Sequence, residues 1–207
     1  MNEERITAYS AETEEEIIFV LRRWDLKLEE IEELLSKKIV KEKKSLLIRV
    51  LAHKRVTPSL FLQYAKFLYP SELVMLSKQP TINVFVKNEV LRYLAMLYEK
   101  MPAGERKSIL RKVPPEFFRY FKEKDGNVLS SILENPRLTE TKLIEIITQM
   151  KPDKIFIERV LKSGKWKNRK RVIFSLFTLP YFPDYEAIKR LKFLSPSDLN
   201  YIIKNYG

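Results

Sequence analysis

The 207-residue chain has no cysteine, one histidine and only four glycines. Without thiols it has no disulfide framework, no thiolate metal site and no cysteine nucleophile. A single imidazole, His53, leaves almost nothing for a zinc site or a conventional catalytic triad. No glycine-rich phosphate loop, Gly-Lys-Ser/Thr step or His-Glu-x-x-His occurs. Long apolar runs are missing too. The longest, Val172 to Phe182, is interrupted by Ser175, Thr178 and Pro180 and is too short to cross a bilayer. The start, Met1 to Arg5, is acidic where a secretory leader would be basic, and no apolar stretch follows it. These absences lead us to expect a cytoplasmic, non-enzymatic protein with no cofactor, no metal and no membrane span.

Apolar residues make up 45% of the chain, enough to bury a core and to argue against disorder. They are also periodic. Pro70-Ser71-Glu72-Leu73, Pro114-Pro115-Glu116-Phe117, Pro152-Asp153-Lys154-Ile155 and Pro196-Ser197-Asp198-Leu199 match one another, at spacings of 44, 38 and 44 residues. Each reads as a helix start. Proline suits the first helical position because its missing N–H would be unbonded there, and Ser or Asp beside it can cap.

The same offsets align further positions. Leu47, Leu91, Leu129 and Ile173 form one column; Val50, Leu94, Ile132 and Leu176 a second; Leu51, Ala95, Leu133 and Phe177 a third. These sit at i, i+3 and i+4, one face of a helix. Ala65, Ile109, Ile147 and Leu191 make a fourth column, and Pro58, Pro102, Glu140 and Asp184 a further set of helix starts. Glu158 breaks the pattern opposite Leu76, Tyr120 and Ile202, so a rotated or shortened helix is expected there. In the clearest module, helices are expected over about Asn127 to Glu134, Thr139 to Met150 and Asp153 to Lys162. Such a module cannot bury its apolar face alone, and stacking on neighbours solves that.

The expected fold is therefore all-α: a right-handed α-solenoid of about four three-helix repeats, spanning 45–87, 88–125, 126–169 and 170–207. Residues 1–44 repeat poorly. Helices near Thr13 to Arg23 and Asp25 to Ser36 would form an acidic N-terminal helical cap, with Trp24 in the junction between them as a core residue.

At Leu133-Glu134-Asn135-Pro136-Arg137-Leu138-Thr139, followed by Leu143 and Ile147, the sequence resembles the bacterial leucine-rich variant repeats, and more loosely the HEAT and armadillo families. Leu51-Ala52-His53-Lys54-Arg55-Val56-Thr57-Pro58 is a weaker copy; the second and fourth modules lack the Asn-Pro step. The resemblance covers residues 45–207 as a repeat class and implies a binding scaffold rather than a particular activity. Some DNA glycosylases use HEAT-like repeats with an aspartate in a basic groove, which would make Asp125 or Asp184 the residue to consider. All four aspartates of the repeat body have a local explanation instead, Asp153, Asp184 and Asp198 at helix starts and Asp125 at the Asp-Gly-Asn turn.

Charge is unevenly spread. Residues 1–36 hold 4 Lys+Arg against 11 Asp+Glu, and residues 45–207 hold 30 against 15, within a total of +12. The densest basic stretch runs from Lys162 through Lys165, Trp166, Lys167, Arg169 and Lys170 to Arg171, with no acid among its ten residues. We take these seven residues as the candidate binding site. The leading expectation is an acidic protein or peptide partner held in a groove of the basic repeats. The second is sequence-independent nucleic-acid binding, with the cations on phosphates and Trp166 stacking on an unpaired base. Against the stacking role stands a simpler one, in which Trp166 tucks its ring between repeats. His53 shares its column with Asn135, just past a helix end, where either side chain can bond backbone groups; a capping role is expected for it rather than general base catalysis.

Overall fold

The computed structural model describes residues 6–23, 25–191 and 194–206, so Trp24 and the first five residues lie outside it. Among the described residues the protein is all-helical, with no strand. No described helix is long and apolar enough to cross a membrane. The chain divides into two compact units, residues 1–100 and 101–207. That division falls inside the segment 88–125, which the repeat pattern treats as one module.

The first unit contains α1 (Glu14–Leu21), α2 (Leu28–Ser36), α3 (Lys38–Glu42), α4 (Lys44–Leu51), α5 (Pro58–Ala65), α6 (Pro70–Leu76) and α7 (Val84–Tyr98). Thr13 opens α1 with a capping box, its hydroxyl accepting from the Glu16 N–H while the Glu16 carboxylate accepts from the Thr13 N–H. Both α1 and α2 pack on α4, so the acidic segment belongs to this unit's core through Ile17, Val20, Ile31, Leu34 and Leu35. Its acid is matched nearby: Glu14 pairs with Lys43 at 2.9 Å, Glu30 with Arg23 at 3.0 Å and Glu33 with Lys37 at 3.7 Å. Beyond it α4 packs on α6, and α5 and α6 both pack on α7.

The second unit contains α8 (Ala103–Leu110), a 3-10 turn (Pro115–Arg119), α9 (Gly126–Leu129) running on into a 3-10 stretch (Ser130–Glu134), α10 (Glu140–Met150), α11 (Lys154–Lys162), α12 (Lys170–Phe177), α13 (Asp184–Leu191) and α14 (Pro196–Tyr206). The expected starts at Pro58, Pro70 and Pro196 are α-helix starts. Thr57, Thr139 and Asp153 cap their helices by accepting from the N–H groups of Leu60, Lys142 and Phe156.

Pro115 differs: it opens a 3-10 turn rather than an α-helix. Here the spacing to the next aligned helix start is 38 residues rather than 44, and Phe117, Phe118 and Phe121 crowd together. The Phe117 and Phe121 rings stack at 5.1 Å between centroids. A tight turn brings those rings inward within the shorter span. The helix carrying Glu158 is not shortened; α11 runs from Lys154 to Lys162 and buries Phe156, Ile157 and Val160.

The aligned apolar columns are core positions. All four members of the first two columns are buried; in the third, Leu51 and Ala95 are buried and Leu133 and Phe177 half-buried. Ala65, Ile109 and Ile147 are buried, and the Leu191 side chain lies outside the described set.

Two backbone positions show how tightly the second unit's corners are specified. The Gly126 N–H donates to the Asp153 carboxylate at 3.3 Å while that carboxylate also caps α11, so one side chain ties the start of α9 to the start of α11. A methyl group at 126 would run into the same carboxylate. Lys151 ends α10 in the left-handed region, φ 45° and ψ 59°, with its N–H on the Ile147 carbonyl at 3.1 Å.

Opposite effects are therefore expected at the two sites. Gly126→Ala should lower stability by about 1–3 kcal/mol through overpacking against a fixed cap. Lys151→Gly should raise it by up to about 1 kcal/mol by relieving the Cβ penalty of the left-handed conformation. Urea unfolding followed by circular dichroism would measure both.

Candidate functional site

The basic stretch does not fold as one surface. Residues 163–169 form turns between α11 and α12, and within them Trp166 is 2% exposed. Its ring is covered by its neighbour: the Lys165 ammonium sits 4.4 Å from the ring centroid and donates to the Leu138 carbonyl at 3.1 Å. Burying an indole removes on the order of 200 Å² from water, worth about 5 kcal/mol. The indole N–H, which has no acceptor among the described residues, costs about 1–3 kcal/mol. Burial wins, and the packed ring cannot stack on an unpaired base. The ring is packed away from solvent, as the simpler expectation for Trp166 has it.

The remaining cations separate. Lys170 donates to Asp198 at 3.1 Å across to the start of α14, where the Ser195 N–H and hydroxyl, together with Lys170, hold the Asp198 carboxyl below its ordinary range. Lys167 and Arg169 are exposed in the turns. Arg171, also exposed, lines a small hollow with Phe174 and Tyr201. Lys162 faces elsewhere.

Lys162 lines a groove of about 730 Å³ that the second unit builds around α9. The floor is α9 with its 3-10 continuation, contributing Asn127, Ser130, Ser131, Leu133 and Glu134. Because α8 and α11 both pack on this floor, they stand as its two walls. Lys107 and Arg111, one turn apart, project from α8; Ile155, Glu158, Arg159 and Lys162 share one face of α11. So Glu158, the residue that broke the apolar column, marks the groove-facing side of its helix.

Four cations thus meet two carboxylates. Arg111 pairs with Glu134 at 2.8 Å and Lys162 with Glu158 at 3.7 Å. Lys107 and Arg159 have no ion-pair partner among the described residues. The two pairs are largely solvent-exposed, a setting in which an ion pair contributes about 0–1 kcal/mol. An incoming carboxylate can therefore replace either glutamate at small cost.

Asn135 holds this groove in shape. It is 1% exposed, and its amide donates to the carbonyl of Leu110, the last residue of α8, at 2.8 Å and to that of Val113, three residues further on, at 2.9 Å. Its oxygen accepts from the Arg137 N–H at 2.9 Å. His53, in the same column, makes the equivalent local bond in the first unit: its Nδ1 accepts from the Arg55 N–H at 3.4 Å. Asp125 accepts from the N–H groups of Asn127 and Val128 as the cap of α9, and the Asp184 side chain lies outside the described set.

Sequence reasoning missed Lys107, Arg111, Ile155 and Arg159. The available signal was Glu158 itself, together with the i, i+4 spacing of Lys107 and Arg111. It also missed Glu123, whose side chain is buried against Arg106 at 2.6 Å and accepts from the Asp125 N–H. No protein-family model matches the chain, and neither a curated protein nor a solved structure matches it.

The His53 arrangement carries a pH dependence. Burial, with the cations Lys54 and Arg55, holds its imidazole below the ordinary value of 6.5. The unfolded chain then takes up the proton first. Stability is full above about pH 6.5 and is lost as pH falls through the folded-state value. His53→Asn, which installs the side chain found at 135, should remove that loss; thermal unfolding at intervals between pH 7 and pH 5 would show it, and an unchanged slope would count against it.

Proposed function

We propose that the protein is a non-enzymatic helical-repeat scaffold that binds an acidic protein or peptide segment in the α8, α9 and α11 groove. On this reading the helices form the right-handed α-solenoid of about four three-helix modules, with residues 1–44 as its cap, working in the cytoplasm. What supports the repeat is the recurrence of helix starts, at 58, 103, 140 and 184 and again at 70, 115, 154 and 196, together with the burial of the aligned columns.

The observation that carries the functional reading is the pair of unmatched cations, Lys107 and Arg159, on opposite walls of one concave site. They belong to a unit with 22 Lys+Arg against 12 Asp+Glu over residues 101–207, so the surrounding field also favours an anion. An extended groove with cations on both sides suits carboxylates spaced along a chain. Nucleic-acid binding stays as the second reading because Lys167, Arg169 and Arg171 remain exposed. It is the weaker one, since Trp166 offers no stacking surface.

A fluorescein-labelled peptide of alternating Glu and Gly should bind with an affinity that falls as salt rises. Lys107→Ala and Arg159→Ala should each weaken it by about two- to fivefold, equivalent to roughly 0.4–1 kcal/mol, while Lys41→Ala in the first unit leaves it unchanged. Fluorescence anisotropy reads all three. If labelled duplex or single-stranded nucleic acid binds more tightly than the peptide, and if Lys167→Ala, Arg169→Ala and Arg171→Ala weaken that binding while the groove variants do not, the nucleic-acid reading replaces this one.

A further inference from the structure

The groove is not purely electrostatic. Ile155 lines its α11 wall while 48% exposed, and Leu133 lines its floor half-buried. Of the other apolar side chains on α11, Phe156, Ile157 and Val160 are fully covered and Leu161 is half-buried. Ile155 instead shares a face with Glu158, Arg159 and Lys162, at spacings of three, four and seven residues. This places an uncovered aliphatic side chain one helical turn from the unmatched Arg159, about 6 Å along the wall.

We infer that the groove selects a particular class of acidic segment: one that carries a bulky aliphatic residue about one turn's distance from a carboxylate. The aliphatic side chain covers Ile155 and Leu133, and the carboxylates meet Arg159 and Lys107. This deepens the acidic-partner reading and rests on it. The apolar contact supplies what charge alone lacks. Glutamates meeting exposed cations in water gain little and are screened by salt, whereas covering aliphatic surface is insensitive to screening and discriminates among acidic chains by shape. Charge then brings acidic segments to the groove, and the aliphatic contact decides which stay.

The test compares two labelled peptides on the full chain: the alternating Glu-Gly peptide, and the same peptide with one central Gly replaced by Leu. The Leu peptide should bind about tenfold more tightly at physiological salt, and its advantage should persist as salt is raised. Ile155→Ser should abolish the difference between the two peptides, and Ile155→Leu should preserve it. Equal binding of the two peptides to the unmodified protein overturns the inference but leaves the acidic-partner reading standing. Binding of neither peptide overturns both. Because the comparison is made first on the unmodified chain, it decides the matter even if the serine variant fails to fold; a Leu advantage that survives intact in a folded Ile155→Ser protein also overturns it.

Discussion

Most helices in this protein are too short to exist alone. Helices of seven to eleven residues lie below the length at which even strong helix formers hold together in water, because a costly first turn is followed by too few propagating bonds. Each must therefore gain its stability by burying a face and by having its ends satisfied. The columns led by Leu47 and Val50 supply the buried faces. The ends are met by Thr13, Thr57, Thr139 and Asp153 at starts and by Asn135 at the end of α8. With so little helix in each rod, a cap worth about 1 kcal/mol adds noticeably to what the buried faces supply.

The economy of short rods explains why much of the architecture was legible in sequence. A helix that must start within a residue or two needs proline, threonine or aspartate at that place, and such residues recur visibly. Helix type was less legible. At Pro115 the pattern promises an α-helix, yet i+3 and i+4 contacts are hard to separate over five residues, and the chain there takes a 3-10 turn beside an aromatic cluster. His53 and Asn135 were legible as equivalents because a side chain just past a helix end bonds backbone two residues on, whichever of the two it is.

The site was legible only as charge. The stretch from Lys162 to Arg171 announces itself in one dimension, but what each cation does depends on what folding brings opposite it. Lys165 meets the Leu138 carbonyl and the Trp166 ring, Lys170 meets Asp198, and Lys162 turns toward α8, more than fifty residues earlier. Lys107 and Arg159 are unremarkable in sequence because neither lies in a run. Their significance comes from standing across a shared floor, a relation that no local pattern encodes.

Asn135 has a consequence for recognition beyond its structural role. By clamping the carbonyls of Leu110 and Val113 from the segment that follows the groove floor, it works as a strut that fixes the distance between α8 and that floor before any guest arrives. On the proposed reading, a guest entering so braced a channel would not have to order the end of α8, and the host's share of the ordering cost would fall on long side chains such as Lys107 and Arg159. Flexible and rigid guests of the same chemistry would then differ in affinity by their own stiffness, with the host contributing a constant.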